Sequence, residues 1–383
     1  MIWFLLKLLY TKWLNIIRWS NYPKIENISP LDNTGFVIHT ALFLVNLEEK
    51  EWNKIDSEYI IKKILFDMLF SLILSDINSW TRNYIMDIDK QVLNKINNKV
   101  IEYILSMKWW EFLKNDIINI INAKNKELEN DIILAARKYV WYSECLVNSK
   151  VFDFTYDKAM QELTMSLNKQ KVKLNSLNIL LKTDNYKNYL SHIRRLIHCK
   201  RWSWAKRNYA VSVMSHLVIV TFISYVLWNF ENISWEKYNI YEMMLKSLYH
   251  DIPEAITWDI ITPTKHSIKW FKEILEKVET QMLNDYFFVY INKNYKNQIQ
   301  NYLLHPFDDY EWKLTKKSDI ISALYEALIE KESWNPEFNS IYKKLKNMVK
   351  EFELNNKNYF LNQILSDFKK DYSNIDFSKN KDF

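Results

Sequence analysis

Glycine is almost missing from this chain. Gly35 is the only one among 383 residues, where average usage of roughly 7% would supply about 25 to 30. Residues carrying a Cβ therefore occupy the tight turns and left-handed helix stops that glycine normally fills. Cysteine is also scarce: Cys145 and Cys199 stand alone, without CxxC spacing or pairing logic, which argues against a disulfide framework and for a reducing cytoplasm. No apolar run is long enough to span a bilayer. The run at 217–229 is too short, and Lys7, Lys12 and Arg18 break the apolar N-terminal stretch at helical spacing, with no small-residue cleavage site after it. That stretch reads as an amphipathic packing helix and not as an anchor. Charge of one sign is not dominant either. The 52 Lys and Arg residues interleave with 46 Asp and Glu to give a net +6, which offers no basic face to an extended nucleic acid and favours small anionic substrates only weakly.

Period-2 hairpin patterns are absent too, whereas "SEYIIKKILFDMLFSLIL", "VSVMSHLVIVTFISYVL" and "SDIISALYEALIEK" place apolar residues at helical spacing. An all-α fold is expected, with length enough for two or more domains. Tryptophan, by contrast, occurs 16 times, often at loop edges, as in "VLWNFEN", "YEWKLT", "ESWNPEF" and "ITWDI". Those are places where glycine would supply a positive φ or a helix stop. The joint pattern predicts a gene that uses UGA for glycine and a translation that reads it as tryptophan, so that Trp258 stands in for glycine.

Candidate chemistry lies in the second half. His216 in "SVMSHL", His250 and Asp251 in "YHDIPEA" and Asp319 in "KKSDIISALYEA" recur in order, 34 residues apart from His216 to His250 and 68 from Asp251 to Asp319. Three separate helices converging on one ion would give an imidazole and carboxylate set suited to a first-row divalent metal. Glu254 follows Asp251 by three residues, on the same helical face, so one carboxylate can bind metal while the other handles a water or a leaving group. Beyond them Asp259, Thr262 and Lys265 offer a carboxylate, a hydroxyl and an ammonium to a polar ligand, a pattern that suggests a phosphate ester. His192, His198, His266 and His305 have no comparable carboxylate pattern and read as structural or solvated.

Residues 190–345, through "IRRLIHCKRWS", "SVMSH", "YHDIPEAITWDIITPTK" and "KKSDIISALYEALIEKESWNPEF", resemble the bacterial HD-domain 5′-deoxynucleotidases, a branch of the HD phosphohydrolase superfamily. The third segment is the most specific: family members carry His-Asp, a Glu three residues on, then Thr-Gly-Asp, Thr-Pro and Lys, and only the glycine differs, being Trp258. The resemblance implies His216, His250, Asp251 and Asp319 as ligands of a divalent ion (Mn, Co or Mg) and Glu254 as the acid/base residue. It further implies Arg201 at the phosphate, Trp202 against the sugar as a genuine tryptophan, and Asp259 at the ribose edge. Met214 and Ser215 depart from the Ala-Glu that usually precedes the first metal histidine.

The first half shows traces of the same pattern. "IIRWS" at 16–20 resembles "CKRWS" at 199–203, "FVIHTALFL" at 36–44 resembles "VMSHLVIVT" at 213–221, and Asp67 and Asp131 fall near the positions of Asp251 and Asp319. Phe66 replaces the histidine and Phe70 lies near the expected glutamate. Tandem HD-like helical bundles are expected: a degenerate copy over 1–165, a linker over 166–184, the phosphohydrolase domain over 185–350 and a C-terminal helix with a mobile tail over 351–383. The two halves would pack as an internal pseudo-dimer. The expected activity is metal-dependent release of phosphate from nucleoside 5′-monophosphates. An HD phosphodiesterase acting on cyclic nucleotides, oligonucleotides or alarmones, or a non-catalytic nucleotide sensor, are the alternatives.

Overall fold

The computed structural model describes residues 2–49, 55–73, 79–106, 111–231, 239–257, 270–305, 310–352, 362 and 364–366. In the first half these form α1 (Ile2–Leu8), α2 (Pro30–Glu48), α3 (Ser57–Ile73), α4 (Ser79–Ile88), α5 (Lys90–Ser106), α6 (Glu111–Ile121), α7 (Glu127–Ser149) and α8 (Asp153–Lys173). The short helices α9 (Asn175–Lys182) and α10 (Asp184–Arg195) lead into α11 (Val213–Glu231), α12 (Ile240–Tyr249) and α13 (Glu254–Thr257). After these come α14 (Phe271–Tyr286), α15 (Lys293–Leu304), α16 (Tyr310–Glu332) and α17 (Phe338–Lys350). The fold is all-α. Among the described residues the only β pairing is an isolated antiparallel bridge between Lys200 and Ser212, and no helix is long and apolar enough to cross a membrane.

Helices α2 and α11 form the centre. Both are apolar nearly all round, as a helix surrounded by others must be, and one hydrophobic cluster runs through both halves of the chain. Helix α2 starts cleanly: Ser29 and Asp32 form a reciprocal capping box and Pro30 takes the first helical position. Gly35 lies where α2 meets α11. A Cβ there would come within 2.6 Å of Met214 Sδ and 3.0 Å of Val218 Cγ2, so the one glycine permits a close helix crossing.

The N-terminal stretch packs as its sequence predicts. Leu5, Leu6, Leu9 and Tyr10 are buried, and the Tyr10 ring stacks on Tyr325 of α16 at 5.8 Å between centroids. The segment expected as a linker is a packed element: α9 buries Leu177 and Leu180 completely, and the Ser176 backbone N–H donates to Glu48 at 2.8 Å. Most of the expected C-terminal tail lies outside the described residues.

Candidate metal and phosphate site

Four helices and one hook of the second half deliver the site. Ser212 starts α11 by accepting the Ser215 backbone N–H at 2.9 Å, which puts His216 in the helix's first turn. Asn239 caps α12 through the N–H groups of Tyr241 and Glu242. His250 and Asp251 follow directly where that helix ends, and Glu254 opens α13. Asp319 projects from the middle of α16, and Arg201 comes from the hook between α10 and α11.

The expected ligand atoms gather tightly. One ligand atom each from His216, His250 and Asp251 lies within 4.8 Å of the others, and Asp319 Oδ1 stands 3.3 Å from His216 Nε2. Asp251 Oδ2 is 3.3 Å from His250 Nε2 and 3.7 Å from His216 Nε2. His250 Nδ1 is 3.0 Å from the Ser247 carbonyl, an acceptor only, so Nδ1 carries the proton and Nε2 of the neutral ring presents its lone pair. His216 Nδ1 is tied to Ser322 Oγ at 3.1 Å. Neither Nε2 atom has a hydrogen-bond partner, although both are buried. Two buried, unpartnered imidazole nitrogens facing two carboxylates would be satisfied by a cation between them, so the donor set fits a first-row divalent ion.

The electrostatics favour a positive charge among these groups, either a proton on His250 or a bound ion in its place. Burial alone would push the His250 pKa down, but the charges of Asp251 and Asp319 raise it on balance. Burial works against ionisation of Asp251 and Asp319 too. His250, His216 and Arg201 nevertheless hold Asp251 low, and Lys316, His216 and His250 hold Asp319 low. Arg201 lies at the carboxylate edge, its Nη1 3.4 Å from Asp251 Oδ2, its Nη2 4.0 Å from Asp319 Oδ1 and its Nε 3.4 Å from Glu326 Oε1. Against the penalty of burial, Glu326, Asp319, Asp251 and Glu254 keep this guanidinium charged.

Sequence reasoning missed the residues behind this layer. Glu326 is buried; burial would raise its pKa, but Arg207, Arg201 and His216 hold it down at about 2. It accepts from Arg207 Nη1 at 2.8 Å and from the Trp202 indole N–H at 3.1 Å. Glu330, fully buried, accepts the backbone N–H groups of Asn208 and Tyr209, each at 2.9 Å, and so folds the hook that carries Arg201. The signal was present in α16, because Asp319, Ser322, Glu326 and Glu330 repeat at three- and four-residue steps along one helix face. Trp202 also lies beside Phe338, at 5.7 Å between ring centroids. Asp259, Thr262 and Lys265, together with Trp258, lie outside the described residues.

Comparison with known proteins finds relatives of the same half of the chain. Residues 188–368 match the YfbR-like 5′-deoxynucleotidase family. Among curated proteins, the 5′-deoxynucleotidase of Pasteurella multocida is 24% identical over 193 residues, covering 49% of this chain and 96% of its own. That of Yersinia pseudotuberculosis is 27% identical over 165 residues, covering 42% of this chain and 82% of its own. A solved HD-domain phosphohydrolase from Listeria innocua is 28% identical with a TM-score of 0.43, covering 47% of this chain and 88% of its own. The second half of the chain is thus similar to the YfbR-like 5′-deoxynucleotidases. The first half lies outside the family match.

Proposed function

We propose that this chain is a metal-dependent phosphohydrolase that releases phosphate from nucleoside 5′-monophosphates, deoxynucleotides among them. The observation that carries this reading is the meeting of two buried, unpartnered imidazole nitrogens with two carboxylates beside a charged arginine. It lies in the part of the chain that matches the nucleotidase family. His216, His250, Asp251 and Asp319 would hold the ion. When bound, such an ion supplies positive charge that polarises a phosphoryl oxygen.

The remaining steps belong to the protein's own side chains. Arg201, a planar donor held at the rim by three carboxylates, binds the phosphate oxygens and offsets the charge that grows on them in the transition state. Water adds to phosphorus as the bond to the 5′-oxygen breaks, and Glu254 gives that oxygen its proton. Trp202, locked by its bond to Glu326, presents its ring to the sugar. The Ser247 carbonyl fixes the tautomer of His250 and leaves its Nε2 free to bind, while Ser322 holds the His216 ring by its Nδ1.

The test is phosphate release from a panel of nucleoside 5′-monophosphates with Mn²⁺, Co²⁺ or Mg²⁺, set beside bis-(p-nitrophenyl) phosphate as a diester. Metal-dependent release from the monoesters is expected, and Glu254→Gln should keep the ion while losing about 10²- to 10⁴-fold in rate. Hydrolysis of the diester alone would replace the monoesterase reading with a diesterase. A fully active Glu254→Gln protein would remove Glu254 from its role.

A further inference from the structure

We infer that the first half is a second copy of the same helical unit in which an internal ion pair stands where the other copy gathers its ion, so that each chain takes one ion. The copies correspond at a shift of 183 residues in the hook and the helix that follows. Arg18 N–H bonds to the Ile28 carbonyl at 2.9 Å as Arg201 N–H bonds to Val211 at 3.0 Å. Tyr22 N–H bonds to the Trp19 carbonyl at 3.0 Å as Ala205 bonds to Trp202 at 2.9 Å. Asn33 N–H bonds to the Ser29 carbonyl at 3.1 Å as His216 bonds to Ser212 at 3.0 Å. Trp19 and Trp202 even share a left-handed backbone, at φ 57° and 56°.

Side chains repeat the correspondence. Arg18 Nε pairs with the buried Glu144 at 3.1 Å, and the Trp19 indole donates to the same carboxylate at 2.9 Å. Arg201 and Trp202 make the same two contacts with Glu326. Farther along the helix, Asn148 accepts the Ile25 N–H at 3.0 Å as Glu330 accepts that of Asn208 at 2.9 Å. Helices α7 and α16 therefore correspond at a shift of 182.

This register replaces the one expected from sequence. His39 does not match His216. It lies six residues farther along α2, on another face, buried edge-on against Tyr249 at 5.2 Å, with burial pushing its pKa down to about 3. Asn33 takes the position of His216, donating to Glu144 at 2.8 Å. Asp131 pairs with Lys173 at 3.2 Å, and the residue matching Asp319 is Arg137, seven positions before Glu144 as Asp319 is before Glu326. Arg137 Nη2 donates to Asp67 Oδ2 at 2.7 Å, and Lys63 pairs with the same carboxylate. Asp67, which the sequence pattern sets against Asp251, thus has its counter-charge from the protein itself. A guanidinium and an amide in place of a carboxylate and an imidazole remove ligands and add a fixed cation, and both changes oppose binding of a divalent ion.

The copy also acts on the other half. Asp32 accepts from Ser215 Oγ at 2.7 Å and from Ser212 Oγ, at the start of the helix that carries His216. The Ser215 that departs from the related sequences therefore has its carboxylate partner in the first half.

The experiment is a metal count by elemental mass spectrometry on the full chain, loaded with Mn²⁺ and dialysed. Wild type should hold one ion per chain, and a His250→Ala/Asp251→Ala double variant close to none. Two ions in the wild type, or one kept by the double variant, would overturn the inference. As a gain-of-site test, Asn33→His with Phe66→His and Arg137→Asp should raise the count to two; a folded triple variant that still holds one ion would show the register to be wrong. Since no turnover is read, an error in the proposed substrate leaves the count intact.

Discussion

At the scale of single residues, Trp334 shows the cost of a chain almost without glycine. It follows α16 at φ 61°, with its side chain 94% exposed, and the Asn335 N–H closes back on the Glu330 carbonyl at 3.0 Å. This is the left-handed helix stop in which a Cβ is strained and glycine is favoured. Unlike the indoles of Trp19 and Trp202, that of Trp334 contacts almost nothing that could compensate. Trp334→Gly should therefore raise stability by about 1 kcal/mol, the scale of the left-handed penalty for a residue with a Cβ, read as a higher midpoint in thermal or urea unfolding. Peptide mass spectrometry of protein made in its native cell gives the matching chemical test, and tryptophan at position 334 would end the proposal that UGA encodes glycine here.

Among the helices, the π-helical turn Leu9–Trp13 that continues α1 and the helix α16 show how the first half supports a site in the second. The Tyr10 hydroxyl and Ser322 Oγ lie 2.9 Å apart, and that same Oγ meets His216 Nδ1 at 3.1 Å. Groups behind a metal-binding imidazole fix its ring and tautomer, and losing one typically weakens metal affinity 10- to 100-fold. Ser322→Ala should weaken Mn²⁺ binding by about that range in a direct titration, with Tyr10→Phe weaker in effect because it acts through Ser322. Unchanged affinity in Ser322→Ala would assign the serine to packing alone. Neither contact could be read from the chain, because they join residues 312 and 106 positions apart.

For the whole molecule, charges across the contact between the halves link stability to pH. Glu26 of the first half pairs with Arg194 and with His198, whose Nε2 lies 3.1 Å away. Burial raises the Glu26 pKa, but bonds from His198 and Arg194 outweigh it and hold the group at about 2, against an ordinary value of 4.5. A depressed carboxylate stabilises the fold above its unfolded pKa, and that contribution fades as pH falls from about 4.5 towards 2. Glu26→Gln should therefore flatten the acid limb of the stability curve over that window while costing stability at neutral pH. An unaltered acid limb would show that the pair contributes nothing to the contact.

By itself the sequence determined the helical class, through periodicity, and it singled out His216, His250, Asp251 and Asp319 as candidate ligands, the first three in short patterns at helix starts and ends. It also carried the hook "RWS" twice. The register we infer for the two copies came from the tertiary structure alone. Apolar helices such as α2 and α11 match one another at several shifts, and only bonds between distant segments, Arg18 and Trp19 to Glu144 and Arg201 and Trp202 to Glu326, select one. The same holds for Asp32 beneath Ser215 and for Arg137 on Asp67. Each is an ordinary charged residue on a helix until packing closes water out and leaves it one partner.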